Sequence, residues 1–133
     1  MDIEDATATP RSPVAVTIQA RSHSIVQDKP EASGGKDQGP MASELLLAGL
    51  LACQHSTFVK VAAKRRVEAS IVSLKGELHF VDGDIAAINV HFTLKTPAAT
   101  SDAALDTLLK LTDKACTISK VLNVPVEGRY SRA

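Results

Sequence analysis

The sequence predicts an α+β domain, and three observations predict it. A long helix-forming stretch without a polar face stands near the middle of the chain. Period-two strand patterns flank it on both sides, and two of those strands meet at an Asp-Gly turn. The resulting order of strands, long helix, hairpin, helix, short helix and strand lacks the regular alternation of a doubly wound sheet. With 133 residues, the chain is of single-domain size and large enough for a real hydrophobic core.

Residues 1–13 carry two prolines, several small polar residues and mixed charge, and they read as a flexible tail ahead of a single domain at 14–133. Val14, Val16 and Ile18 alternate with Ala15, Thr17 and Gln19, the period of a half-buried strand, and a second extended piece runs over Ser22 to Val26. Gln27 to Gly39, with Pro30, Gly34-Gly35 and Gly39-Pro40, is a long loop. Loops of that length in compact domains are often functional, and surface wiring between sheet and helix is the equal alternative.

The central helix is predicted over Pro40 to Arg66. Gly39-Pro40 is a start signal, Ser43 is a candidate cap, and Lys64, Arg65 and Arg66 suit the negative end of a helix dipole. From Leu45 to Cys53 only Gly49 is not clearly apolar, so the helix is expected to be buried on most sides. The apolar run falls short of the about 20 residues that span a bilayer.

Downstream, Val67, Ala69 and Ile71 alternate on one parity, and Leu74, Leu78 and Phe80 on the other; a bulge near Ser73 reconciles them. Asp82-Gly83-Asp84 then joins this run to Ile88, Val90, Phe92 and Leu94 as a β-hairpin, which Pro97 ends. Ser101 caps a helix from Asp102 to about Lys114 with apolar positions Ala104, Leu105, Leu108, Leu109 and Leu111. Cys116 to Leu122 reads as a helical turn or two, and Val124 to Tyr130 as a closing strand.

Composition excludes some functions. Fifteen basic and fifteen acidic side chains cancel, which leaves no electrostatic footprint for nucleic acid or an anionic membrane. Three Phe, one Tyr and no Trp offer few platforms for stacked bases. The acidic start Met-Asp-Ile-Glu-Asp has no apolar secretory segment, and the cytoplasm is the expected location. The two cysteines, Cys53 and Cys116, form neither a zinc pattern nor Cys-x-x-Cys. They are either two small buried hydrophobes or a redox pair brought together by the fold, and spacing leaves both open.

His55 lies two positions beyond Cys53, about 200° around a regular helix, which rules out a dyad between them. His23, His79 and His91 fall on polar positions and are expected to face solvent. No His-Glu-x-x-His, P-loop or Gly-x-Ser-x-Gly occurs, so no metal and no cofactor is expected. What remains is thiol chemistry, with candidate activators Arg11, Arg21, Lys29, Lys36 and Glu44.

Four segments carry a resemblance: Asp28-Lys29-Pro30; Gly34-Gly35-Lys36-Asp37-Gln38-Gly39-Pro40; Ser43-Glu44 through Ala52-Cys53; and Ala115-Cys116-Thr117-Ile118-Ser119. Together they resemble the OsmC/Ohr family of osmotically induced and organic-hydroperoxide-resistance proteins, over about Val14 to Tyr130. The resemblance implies an intertwined homodimer in which two long central helices are wrapped by antiparallel-rich sheets. It implies that Cys53 attacks an organic hydroperoxide, and that Cys116 resolves the sulfenic acid as a disulfide. A dithiol reductant such as a lipoylated protein then restores the pair. It further implies an activating arginine, for which Arg21 is the choice and Arg11 the next, and a catalytic glutamate, for which Glu44 is the candidate.

Three positions depart from the family pattern. Thr117 follows Cys116 where the family usually has proline. Ser43 occupies the glutamate position ten residues before the first cysteine, and Glu44 stands nine before it. Nine residues of straight helix span about 13.5 Å, so Glu44 would act across a dimer or through a bend near Gly49. The arginine lies in a variable upstream loop. These departures motivate an alternative function, a non-catalytic protein that holds a small apolar or thiol-reactive ligand at the dimer interface. A third reading makes both cysteines inert core residues.

Position and resemblance also disagree about the reactive thiol. Cys116 is expected near a short helix start, which lowers a thiol pKa, and Cys53 mid-helix among apolar groups, which raises it. Attack by Cys53 is then expected to require a cation beside it.

Overall fold

The computed structural model describes all residues 1–133. It has two α-helices and two three-stranded, mostly antiparallel sheets, as an α+β chain should. Two compact units are defined, Met1–Leu46 and Leu47–Ala133.

The first unit is a sheet of order β1-β2-β3 made of β1 (Thr7–Pro10), β2 (Val16–Ala20) and β3 (His23–Gln27), all antiparallel. β1 lies in the stretch that reads as a flexible tail: Thr7 pairs with Gln19 and Pro10 with Val16. Pro10 sits at the end of an edge strand, where a missing N–H is tolerated. Between β1 and β2 the Ser12 hydroxyl accepts the Ala15 N–H at 3.1 Å. The β2–β3 turn places Arg21 at φ 53°.

The loop after β3 is organised by one carboxylate. Asp28 is only 1 % exposed and accepts the backbone N–H groups of Lys29 at 2.7 Å, Lys36 at 3.1 Å and Gln38 at 3.1 Å. Its own N–H reaches the Pro40 carbonyl at 3.1 Å. The ring is so tight that a Cβ on Gly35 would lie 2.0 Å from the Lys29 carbonyl oxygen, and one on Gly39 1.8 Å from that of Val26. The glycines are there for close approach.

Helix α1 runs from Ala42 to Arg65. Ser43 lies inside it and does not cap it. Instead the Glu44 carboxylate accepts the Met41 N–H at 2.9 Å, the backward half of a capping box. At the other end Arg66 adopts φ 55°, and the N–H groups of Arg66 and Val67 bond to the carbonyls of Ala63 and Ala62 at 3.1 and 3.0 Å. That is a Schellman stop, made here without glycine.

The second unit holds a sheet of order β4-β5-β6: β4 (Ser70–Val81), β5 (Asp84–Lys95) and β6 (Val126–Arg132). β4 and β5 are the expected hairpin. Its turn has Asp82 at φ 52° and Gly83 at φ 85°, the left-handed pair that a two-residue hairpin needs. The register shifts between Ile71 and Ser73, where Val72 is the extra residue of the bulge. α2 (Asp102–Ala115) is capped by the Ser101 hydroxyl, which accepts the Ala104 N–H at 3.1 Å. The chain then returns through a 3-10 turn, Ser119–Val121, so that β6 pairs parallel to β5. The core of the unit joins Leu50, Phe58 and Ala62 of α1 to Ile88, Val90, Phe92 and Leu94 of β5 and to Leu105, Leu108 and Leu109 of α2. Phe58 and Phe92 meet with centroids 5.6 Å apart.

One expectation about α1 is not met within the single chain. Only Leu50, Gln54, Phe58 and Ala62, a stripe at spacing four, are buried. Leu46 and Val59 are exposed at 38 % and 51 %. One three-stranded sheet covers one side of a helix, and the uniform apolar sequence leaves the other side bare. The 24-residue helix is also long and apolar enough, by length and composition alone, to cross a membrane, although its strictly apolar run is shorter. Gln54 in its buried stripe bonds to α2 at 3.4 Å, as in a core helix.

Candidate functional site

The packing of α1 and α2 in the second unit brings the two cysteines together. Cys53 sits midway along α1 and is half-buried, whereas Cys116 is fully buried. Their sulfurs are 2.9 Å apart, beyond the about 2.05 Å of a disulfide bond, and both are free thiols. The separation of 63 positions along the chain hides this proximity from any spacing rule.

Cys116 does not begin a helix. It is the C-cap of α2, and its N–H bonds to the Thr112 carbonyl. That end of a helix carries partial negative charge, which disfavours a thiolate. Burial pushes the Cys116 thiol up, and its contact with Cys53 adds to this; the N–H groups of Ser119 and Ile118 oppose them without prevailing. The Ser119 N–H lies 3.4 Å from the Cys116 sulfur.

Cys53 goes the other way. Burial alone would raise it, but the Cys116 thiol, the Ile118 N–H, the Thr57 hydroxyl and the Thr117 N–H together hold it below the ordinary thiol value. Thr57 stands 3.9 Å away, one turn along α1. This mid-helix thiol is thus made more acidic first by the Cys116 thiol and then by the Ile118 backbone, the Thr57 hydroxyl and the Thr117 backbone, so the lowering comes without the cation that the sequence argument demanded. Of the two thiols, Cys53 is therefore the more acidic.

A second polar group lies beside the sulfurs. Asp113 Oδ1 accepts the Ser119 hydroxyl in a short hydrogen bond and the Gln54 side-chain N–H at 3.4 Å. Gln54 and Ser119 are 2 % and 9 % exposed. None of the three stood out in the sequence. Their only signal is placement: Gln54 is the first polar residue after the apolar run, and Asp113 and Ser119 lie three residues before and after Cys116.

The remaining candidates belong to the first unit. Glu44 is engaged with the N–H of Met41 at the start of its own helix. Arg21 is exposed in the β2–β3 turn. Arg11 follows β1 and donates to the Thr17 hydroxyl at 3.3 Å. Lys29 and Lys36 give their backbone N–H groups to Asp28. Of the histidines, His79 bonds to Asn89 at 3.0 Å and His91 to Ser131 at 2.9 Å. They lie on the outer face of the β4-β5-β6 sheet, as their parity predicts. No group of three or more His, Cys, Asp or Glu side chains has the arrangement of a metal site.

The class that emerges is a small α+β protein carrying a close pair of thiols between two helices. A family model described as OsmC-like protein matches residues 35–129, and the chain belongs to that family. The match includes Glu44, Cys53 and Cys116 and begins after Arg11 and Arg21. Solved structures share the fold. An OsmC-like protein from Mycoplasma pneumoniae superposes with a TM-score of 0.78 at 17 % identity, covering 99 % of this chain and 98 % of that one. An organic hydroperoxide resistance protein OsmC from Legionella pneumophila gives 0.76 at 16 %, over 100 % and 98 %. The organic hydroperoxide resistance protein OhrB of Bacillus subtilis gives 0.70 at 21 %, over 98 % of each chain. A search of curated protein sequences returns no significant match.

Proposed function

We propose that this chain is a thiol-dependent peroxidase that reduces organic hydroperoxides to alcohols through Cys53 and Cys116. The observation that carries the reading is the 2.9 Å sulfur pair, polarised so that Cys53 is the more acidic thiol. Family membership supports a stress-related or peroxidase-like role. The Cys53 thiolate attacks the distal oxygen of ROOH, the O–O bond breaks, and RO⁻ takes a proton to leave as ROH. Cys53 is then a sulfenic acid. The Cys116 sulfur attacks it; the S–O bond breaks, the hydroxyl leaves with the Cys116 proton as water, and a disulfide forms. A dithiol reductant, of the kind a lipoylated protein supplies, returns both thiols and keeps the cycle running in the cytoplasm.

The active form is proposed to be a homodimer. The bare apolar side of α1, with Leu46 and Val59, is surface that a second copy would cover. In the dimer Arg21, with Arg11 as the other candidate, and Glu44 would assist the peroxide step. Sedimentation at micromolar concentration tests the assembly, and a stable folded monomer would count against it.

Chemistry is tested by one equivalent of cumene hydroperoxide. Both thiols should disappear and return on adding a dithiol. Cys116→Ser should stop at the sulfenic acid or overoxidise, and Cys53→Ser should not react. Thiols that survive the peroxide in the wild type would sink the peroxidase reading in favour of a ligand-binding protein of the same fold.

A further inference from the structure

The Gln54–Asp113–Ser119 tie is not used by the chemistry above, yet it joins the segments that carry both sulfurs. Gln54 is the neighbour of Cys53 on α1. Asp113 lies one turn before Cys116 on α2, and Ser119 opens the 3-10 turn three residues after it. One carboxylate oxygen accepts from both partners. Two of these three side chains are buried among apolar residues, where a polar group costs free energy unless it is bonded. Apolar residues of similar size would hold the helices together as well. What they would not do is orient the backbone between Cys116 and Ser119. That short stretch aims the Ser119 N–H at the Cys116 sulfur, 3.4 Å away, and its backbone at Ile118 and Thr117 is among the causes that lower the Cys53 thiol.

We infer that Asp113 is a positioning residue: by holding the Ser119 hydroxyl and the Gln54 amide, it sets the turn after Cys116 so that the Ser119 N–H faces the Cys116 sulfur and the two sulfurs stay in contact. Its importance to turnover rests on the peroxidase reading; its effect on the thiols does not. Loss of the tie frees the turn, withdraws donors from Cys53 and lets the sulfurs drift apart. Bond formation between them is steeply sensitive to distance, and a misplacement near 1 Å costs up to about a hundredfold in rate.

The test uses the full chain in its reduced form, with Asp113→Ala, Asp113→Asn and Ser119→Ala variants. The pH dependence of iodoacetamide alkylation is read for each cysteine by mass spectrometry. Disulfide closure is timed with diamide, a thiol oxidant that needs no peroxide chemistry. Asp113→Ala and Ser119→Ala should move the Cys53 profile to higher pH and slow closure by about tenfold or more. Asp113→Asn, which keeps the acceptor oxygen, should restore both. A merely structural tie would lower thermal stability and leave the alkylation profile in place. Folded variants with wild-type profiles and closure rates, or an Asp113→Asn as impaired as Asp113→Ala, would overturn the inference. If Asp113→Ala does not fold, Ser119→Ala decides alone, since it removes one hydroxyl and keeps the N–H. Altered profiles in a protein inert to cumene hydroperoxide would uphold the positioning role and defeat the peroxidase reading.

Discussion

The two units each contain a carboxylate that organises its surroundings, and the two do so with different partners. Asp28 collects backbone N–H groups from one, eight and ten residues further along the chain. It therefore determines the path of the loop itself. Asp113 collects side chains, one of them 59 residues away, and so ties together segments distant in the chain. The loop around Asp28 contributes no residue to the hydrophobic core cluster. Around Asp113 a core of Leu, Phe, Ile and Val holds the helices on the sheet whether or not the tie is made. The contrast teaches that a carboxylate that gathers hydrogen bonds can be indispensable to shape in one place and a fine adjustment in another.

The largest expected effect tests the apolar half of that contrast. Phe58→Ala removes a fully buried ring that meets Phe92, and should cost about 3–5 kcal/mol in denaturant unfolding. A loss under 1 kcal/mol would show that the second unit does not depend on this core. Next comes the loop. Gly35→Ala forces a Cβ to within 2.0 Å of the Lys29 carbonyl oxygen, and should cost roughly 3 kcal/mol or more, the upper end for overpacking. Hydrogen exchange should quicken over residues 28–40, and unchanged exchange there would refute the tight ring. Ser101→Ala removes the α2 cap and should cost about 1 kcal/mol, as a control that touches neither carboxylate.

The smallest effect is acid lability of the first unit. The Lys29 N–H holds the Asp28 carboxyl below its ordinary value of 3.8, against burial and with help from the Gln38 and Lys36 N–H groups. A depressed value means that the stabilisation is complete above pH 3.8 and is lost as pH falls through the lower folded value. Pepsin should therefore nick the 28–40 loop as the pH drops below about 4, before far-UV circular dichroism reports loss of the helices. Simultaneous loss of both would show that Asp28 holds nothing of its own.

Much of the fold was legible in the residues themselves. The hairpin turn at Asp82-Gly83, the bulge beside Ser73, the Ser101 cap and the buried parity Ile88, Val90, Phe92 and Leu94 are all local, decided by nearest neighbours and by period two. Errors arose where a long-range partner overrode a local cue. Thr7–Pro10 looks like tail because of its proline, and is a strand because β2 lies beside it. Ser43 looks like a cap, and the helix begins two residues earlier than such a cap would start it, with Glu44 reaching back to Met41. The apolar sequence of α1 says how much surface wants covering, without saying what covers it.

For the candidate site the division is sharper. The sequence by itself determined that thiol chemistry was the chemistry on offer, that Cys53 stands in a long apolar helix, and that both cysteines fall in segments resembling one family. Only the tertiary structure decided that their sulfurs lie 2.9 Å apart, and which of them is favoured as thiolate. The reason is physical. A thiol's acidity is the balance of burial against the donors that face it. The group that does most to lower Cys53, the Cys116 thiol, stands more than sixty residues away at the end of α2, and its position depends on the packing of that helix.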